Sequence, residues 1–238
     1  MKSTVQSSPQ ERILQAALGL LETGGVEAVS TRAVSAAADV QPPTIYRHFG
    51  DMQGLLNAVA TAGFAAYLDA KGTRATYSDP VQQLRDGWNL HLEFGLTHPH
   101  LYTLMYAAAT RSGTQGPAAL EGFAILRTLL QRVAEAGRLA VSVERAAAMI
   151  HGAAMGLTLS LLSAPVRDAA LSDLMLEAVL NAILTPEPSQ SHAQPETSVA
   201  RSQAAAHAVS LAALLPELQV PFSAAERSLL AEWLDRLM

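Results

Sequence analysis

Between Gln41 and His48 the chain places an amide, two hydroxyls, a guanidinium and an imidazole: Gln41, Thr44, Tyr46, Arg47 and His48. These are hydrogen-bond formers suited to a polar, anionic partner. A guanidinium can fork onto O6 and N7 of guanine, and a carboxamide can address N6 and N7 of adenine. Hydroxyls and ring N–H groups suit phosphate oxygens. Catalytic chemistry has no comparable frame. Serines and histidines are plentiful, but no nucleophile elbow or metalloprotease motif surrounds them. Cysteine is absent, so neither disulfides nor thiolate metal sites are available. The residues point to recognition, and no enzymatic activity or cofactor is expected.

The elements around these residues can be read from local signals. Val29, Ala33, Val34 and Ala37 recur at helical spacing, which gives a first short helix an apolar inner face. Ser30 or Thr31 can cap it. Asp39 stands where the chain must turn, and Asp tolerates positive φ better than most residues. Val40 plugs the corner. Pro42 and Pro43 suit the first turn of a second helix, where an amide hydrogen has no partner anyway. That helix runs to about Phe49, with Ile45 and Phe49 inward, Thr44, Arg47 and His48 outward, and Tyr46 at the edge. Gly50 ends it and Asp51 caps the next. Two short helices, a tight turn and a polar second helix are the plan of a DNA-reading helix-turn-helix.

VQPPTIYRHFGDMQGLL resembles the signature of the TetR family of tetracycline-repressor-like regulators. Thr44, Ile45, Tyr46, His48 and Phe49 match in order and spacing. GGVEAVSTRAV resembles the family's lead-in, and a helix from about Gln10 to Thr23 resembles its first helix. Two positions depart from the pattern: Asp39 replaces the usual turn Gly, and Asp51-Met52-Gln53 stands where a phosphate-contacting Lys is common. The resemblance implies that Gln41, Pro42, Pro43 and Arg47 approach base edges and that Thr31, Thr44, Tyr46 and His48 grip phosphate. Arg32 completes the DNA-facing candidates. It also implies a cytoplasmic bacterial dimer, bound to a palindromic operator and controlled by a small-molecule effector.

Composition sets bounds on the rest. The chain has 238 residues, half of them hydrophobic but few aromatic, with abundant Ala and Leu. That suits an all-α protein, large enough for two domains. Net charge is −5, and Lys2, Arg12, Arg32 and Arg47 balance Glu11, Glu22, Glu27 and Asp39 in the first fifty residues. A general nucleic-acid coat is excluded; a reader with a small footprint that relies on dimerisation is not. The expected organisation is a helix-turn-helix domain over 1–50, a helical ligand-binding and dimerisation domain over 51–186, a Pro/Ser/Gln-rich linker over 187–199 and a helical extension over 200–238. The charge-free segment 146–166 carries His, Gly, Ser and Thr, so a helix buried on most sides explains it better than a membrane span.

Further helices follow the caps. One starts at Asp79-Pro80-Val81-Gln82, where Gln82 can complete a capping box, and runs to about Thr97. Others start at Pro99, after Pro117, at Ser142 and near Ser172. Trp88, His91, Phe94, Tyr102, Met105, Tyr106, Phe123 and Met149 could line a pocket for a largely apolar effector, or form an ordinary core. His91, His98, His100 and His151 raise a metal-sensing alternative, but no i, i+4 pair exists among them. Met149, Gly152, Ala153, Gly156 and Ser160 form a small-residue stripe on which two copies could pack, with Leu157, Leu161, Leu174, Ala178 and Ile183 adding apolar area nearby. In the last helix Leu229, Leu230, Trp233, Leu234 and Leu237 form a stripe that must dock somewhere, either on the protein's own dimer or on a partner protein. The rival to a DNA-binding regulator is a helical protein-interaction module.

Overall fold

The structure is a computed structural model that describes residues 8–70, 79–112, 115–166, 168, 170–185, 196–216 and 221–237, with the backbone alone for 107–112 and 196–203. Among the described residues it is all-α. The helices are α1 (Pro9–Ala28), α2 (Thr31–Ala38), α3 (Pro42–Phe49), α4 (Met52–Ala70), α5 (Pro80–Thr97), α6 (Pro99–Ser112), α7 (Pro117–Glu135), α8 (Val143–Ser163), α9 (Leu171–Ile183), α10 (Glu196–Leu214) and α11 (Ala224–Leu237). They divide into two compact units, the first comprising residues 1–75 and 93–122, the second 76–92 and 123–238.

In the first unit α1 opens with a capping box between Ser8 and Glu11 and buries Ile13, Ala17 and Leu21 at fourfold spacing. The helix extends beyond the expected end at Thr23. Gly25 kinks it at φ 68°, and helical backbone resumes to Ala28. His100, at the start of α6, explains the glycine: a Cβ on Gly25 would lie 3.2 Å from the His100 ring. Helix α4 crosses α6 just as closely, since a Cβ on Gly63 would press on Leu101. Phe64, Tyr67, Phe94, Tyr102 and Tyr106 fill the space behind them as an aromatic core.

In the second unit α5 starts where expected, with the Val81 amide donating to Asp79 Oδ1 at 2.9 Å. The capping box is not completed, because the Gln82 amide donates instead to Asp86 one turn on. Arg85 pairs with Glu177 of α9, and Trp88 Nε1 donates to Ser172 Oγ at 3.1 Å. The ends of α7 and α9 are joined by backbone bonds, Ala140 N to Ile183 O and Thr185 N to Arg138 O. Helix α10 docks on α7: Ser210 Oγ donates to the Ala134 carbonyl at 2.7 Å, and Gln131 Nε2 donates to the Ala213 carbonyl at 2.9 Å. The extension therefore begins as part of this unit's core, with Ala205, Ala206, Ala208, Val209 and Ala213 buried.

Helix α8 is long and apolar enough to cross a membrane. The expectation that it is buried on most sides needs correction. Ala146, Ala147, Ile150, Ala154, Leu157, Thr158 and Leu161 are buried, but Ala148, Gly152, Gly156 and Ser160 are exposed. The sequence lacks charge on both faces, and charge is the signal that normally separates them.

Candidate nucleic-acid interface

Local contacts set the angle of α3. Ser30 caps α2 by accepting the Ala33 amide, and Arg12 Nε reaches from α1 to the Ala38 carbonyl at 3.2 Å, securing the far end of α2. Asp39 then turns the chain with φ 51° and ψ 57°, the left-handed conformation that the turn requires. Pro42 and Pro43 occupy the first turn of α3, and Ile45, fully buried, anchors it. The inner face of α2 differs in part from expectation. Val34, Ser35 and Ala38 are buried, Ala33 is half-buried and Ala37 is exposed. The helix is rotated so that Ala38 meets the corner.

The outer face of α3 presents what the sequence promised. Gln41, Pro42, Pro43, Arg47 and His48 are exposed, Thr44 is half-buried and Tyr46 is 43% exposed. Thr31 is half-buried and Arg32 exposed on the first turn of α2. Thr31 Oγ1 and Tyr46 OH lie 2.9 Å apart in a hydrogen bond. Two residues expected to act separately on phosphate are thus one unit, each fixing the hydroxyl of the other. Such a pair can donate once more outward and offers lone pairs, so it suits a phosphate oxygen held at the rim of a groove. Arg47 is exposed on the same helix.

Gly50 ends α3 at φ 79°, and Asp51 Oδ1 accepts the Gly54 amide at 2.7 Å to start α4. Gly54 was not singled out from the sequence. A Cβ there would collide with the Phe49 carbonyl. The last residue of α3 therefore rests directly on the first turn of α4.

The expected effector residues are found in both units. Phe94, Tyr102, Met105 and Tyr106 lie in the first unit, all buried. Tyr102 and Tyr106 have ring centroids 4.6 Å apart, and burial pushes the Tyr106 phenol up to about 12. This is close packing, without space for a ligand between the rings. Trp88, His91, Phe123 and Met149 lie in the second unit. There the His91 and His151 rings stand 6.5 Å apart and Phe123 lies 5.3 Å from His151. Burial, then the neighbouring His151, pushes His91 down to about 4. Among the described residues no group of three or more His, Cys, Asp or Glu is gathered as a metal site. His98 and His100 serve α1 instead, His98 lying 4.0 Å from Glu22 and His100 against Gly25. The sequence reading missed a cavity of about 540 Å³ in the first unit, lined from α4, α6 and the start of α7. Of the expected effector residues, Met105 alone lines it.

The surface expected for dimerisation is partly present. Among the described residues, nothing lies within 4 Å of a Cβ added at Gly152 or Gly156. Leu174 is 66% exposed and Ala178 is exposed beside it. Leu157, Leu161 and Ile183 are buried within the chain and leave that face. In α11 Leu234 is buried, whereas Leu229, Trp233 and Leu237 remain exposed.

Residues 13–59 match the family model described as bacterial regulatory proteins, tetR family. Over 85 residues, 36% of this chain, the sequence is 34% identical to the HTH-type transcriptional repressor KstR of Rhodococcus jostii, and the aligned segment spans 40% of that repressor. It is 39% identical over 84 residues to KstR of Mycolicibacterium smegmatis, covering 34% of this chain and 41% of that one. Two solved structures share the fold at low identity. A tetR-family regulator from Shewanella sp. PV-4 superposes with TM-score 0.60 at 19% identity, over 76% of this chain and all of that one. FadR from Bacillus subtilis, solved in complex with stearoyl-CoA, gives TM-score 0.59 at 18% identity, over 73% of this chain and 98% of that one.

Proposed function

We propose that this chain, a member of the tetR family of bacterial regulatory proteins through its helix-turn-helix, is a sequence-specific DNA-binding repressor that acts as a homodimer and is released by a small molecule. One observation carries the reading. Among the described residues, the face of α3 left open bears Gln41, Arg47 and the Thr31–Tyr46 pair, while Ile45 locks the opposite face into the core. Base contacts fall to Gln41 and Arg47, with Pro42 and Pro43 seating the helix end. Phosphate contacts fall to Thr31, Arg32, Thr44, Tyr46 and His48. Residues 1–50 read DNA, 51–186 bind effector and partner copy, and 200–238 extend the second unit beyond the 187–199 linker. The site of action is the bacterial cytoplasm.

The dimer rests on the stripe of α8 and its neighbours on α9. A palindromic operator needs two reading helices about one DNA turn apart. Because no described residue lies within 4 Å of a Cβ added at Gly152 or Gly156, a larger residue there is tolerated by the described fold and, by helix propensity, favoured. Gly152→Leu together with Gly156→Leu should leave helicity intact and shift the mass measured by light scattering from dimer to monomer. A doubly substituted protein that stays dimeric places the contact elsewhere. On a selected operator, Tyr46→Phe and Arg47→Ala should each weaken binding without changing the circular dichroism spectrum. Unchanged affinity in both refutes the assigned interface.

A further inference from the structure

Helix α11 is held to its unit by little. It lies against α10, and among its described residues only Leu234 is buried. On its outer side Leu229, Trp233 and Leu237 follow one another at fourfold spacing and are 44%, 54% and 56% exposed. Apolar residues so spaced form one stripe along a helix, the arrangement on which a second helix packs. The two ends of the stripe carry opposite charges. Glu226 stands in the first turn, where its Oε2 accepts both the amide and the hydroxyl of Ser223. Arg236 stands in the last turn, paired with Glu232 one turn back.

The order of these residues decides what fits. A second α11 laid antiparallel, with Leu229 on the partner's Trp233, sets Trp233 on the partner's Leu229 by the same twofold symmetry. In that register Glu226 comes opposite the partner's Arg236, and the small, exposed Ala225 comes opposite the partner's Leu237. Acid meets base at both ends, and the two helix dipoles run in opposite directions. A parallel pairing would set Glu226 on the partner's Glu226. The stripe is therefore complementary to itself, which a surface shaped for an unrelated protein has no reason to be.

Two further observations place the second copy. Three side chains offer far less than the ~800 Å² per partner that a stable complex buries, so α11 has to add to a larger contact. Helix α10, against which α11 lies, is bonded to the last turns of α7, and the segment that ends α7 is bonded to the end of α9. Helix α9 bears the exposed Leu174 and Ala178. Through this frame α11 is tied to the surface on which two copies meet.

We propose that α11 pairs antiparallel with the α11 of a second copy, as a clasp on the same dimer whose main contact is made by α8 and α9. The placement rests on the homodimer reading above.

The chain has no cysteine, so introduced thiols report alone. In the full chain, Glu226→Cys together with Arg236→Cys should form a covalent dimer under mild oxidation, seen on a non-reducing gel. Either substitution alone should not, because like positions lie about 15 Å apart along an antiparallel pair. Adding Trp233→Ser should remove most of the cross-link. In the chain without thiols, Trp233→Ser should raise the dimer dissociation constant, measured by sedimentation velocity, about tenfold at unchanged circular dichroism. No cross-link in the double variant, equal cross-linking in either single variant, or an unaltered dissociation constant overturns the clasp. So does light scattering that finds more than two chains in the cross-linked particle, since the second copy then belongs to a neighbouring dimer. A wild type that is monomeric throughout refutes the homodimer reading itself, whereas a dimeric wild type without the cross-link refutes the clasp alone.

Discussion

Acidification should destabilise the second unit at its histidine pair. His91 and His151 face each other edge to face across α5 and α8, with Phe123 against His151. Burial, then the neighbouring His151, holds His91 at about 4, whereas an unfolded histidine titrates near 6.5. The folded value lies below the unfolded one, so the unfolded chain takes up its proton first as pH falls. Stability is complete above about pH 6.5 and declines as the pH drops towards 4. Between about pH 7.5 and pH 5, the difference in proton binding at this one site is worth about 2 kcal/mol. Burial lowers His151 as well, which adds in the same direction. Replacing His91 by Gln removes the titration while keeping a polar side chain. Urea unfolding at the two pH values should show the wild type losing about 2 kcal/mol more than His91→Gln. Equal losses in the two proteins refute the assignment of a half-buried, neutral His91.

Other consequences follow from the packing. Ile45→Ala removes the fully buried anchor of the reading helix and should cost about 2–5 kcal/mol, measured by urea unfolding. Gly54→Ala places a methyl group against the Phe49 carbonyl; it should cost about 2 kcal/mol and, by moving α3, weaken operator binding measured by fluorescence anisotropy. At Asp39, with its φ of 51°, substitution by Gly should raise the unfolding midpoint, while Val should lower stability by about 1–3 kcal/mol. Ending the chain after Leu215 removes α11, whose one buried side chain is Leu234, and should change stability of the remainder by no more than about 1 kcal/mol. Ending it at residue 185 also removes α10 with its bonds to α7, and should sharply lower the unfolding midpoint. Light scattering on the shorter of the stable products decides whether the extension clasps a dimer, since an unchanged dimer sinks that idea.

What the sequence disclosed was local. The Ser30 cap, the left-handed Asp39, the prolines of α3 and the stop at Gly50 depend on residues within a turn of one another. Such signals survive in one dimension. The continuation of α1 through Gly25 was hidden because two glycines resemble a helix end, and the kink is justified by His100 far along the chain. The Thr31–Tyr46 bond spans fifteen residues, so composition could nominate both hydroxyls without pairing them. Periodicity placed Leu157 and Leu161 near the small-residue stripe, but it could not say which neighbour would cover them. Residues proposed as one effector pocket were grouped by type alone, and the fold distributes them between two units. The cavity went unnoticed because Gln53, Asn57, Thr103 and Gln115 are solvent-facing or half-buried residues, and only the meeting of α4, α6 and α7 brings them to the rim of one hollow.

The central claim is that the exposed face of α3 reads a sequence as one half of a symmetric pair. Selection of bound duplexes from random DNA by the full chain, at about 100 mM salt because affinity depends on it, tests this most directly. The account predicts a palindrome whose half-sites are about one helical turn apart, with one position relaxed when Arg47→Ala repeats the selection. Recovery of no enriched sequence by a folded, dimeric protein contradicts it and favours a helical module whose N-terminal face docks on protein.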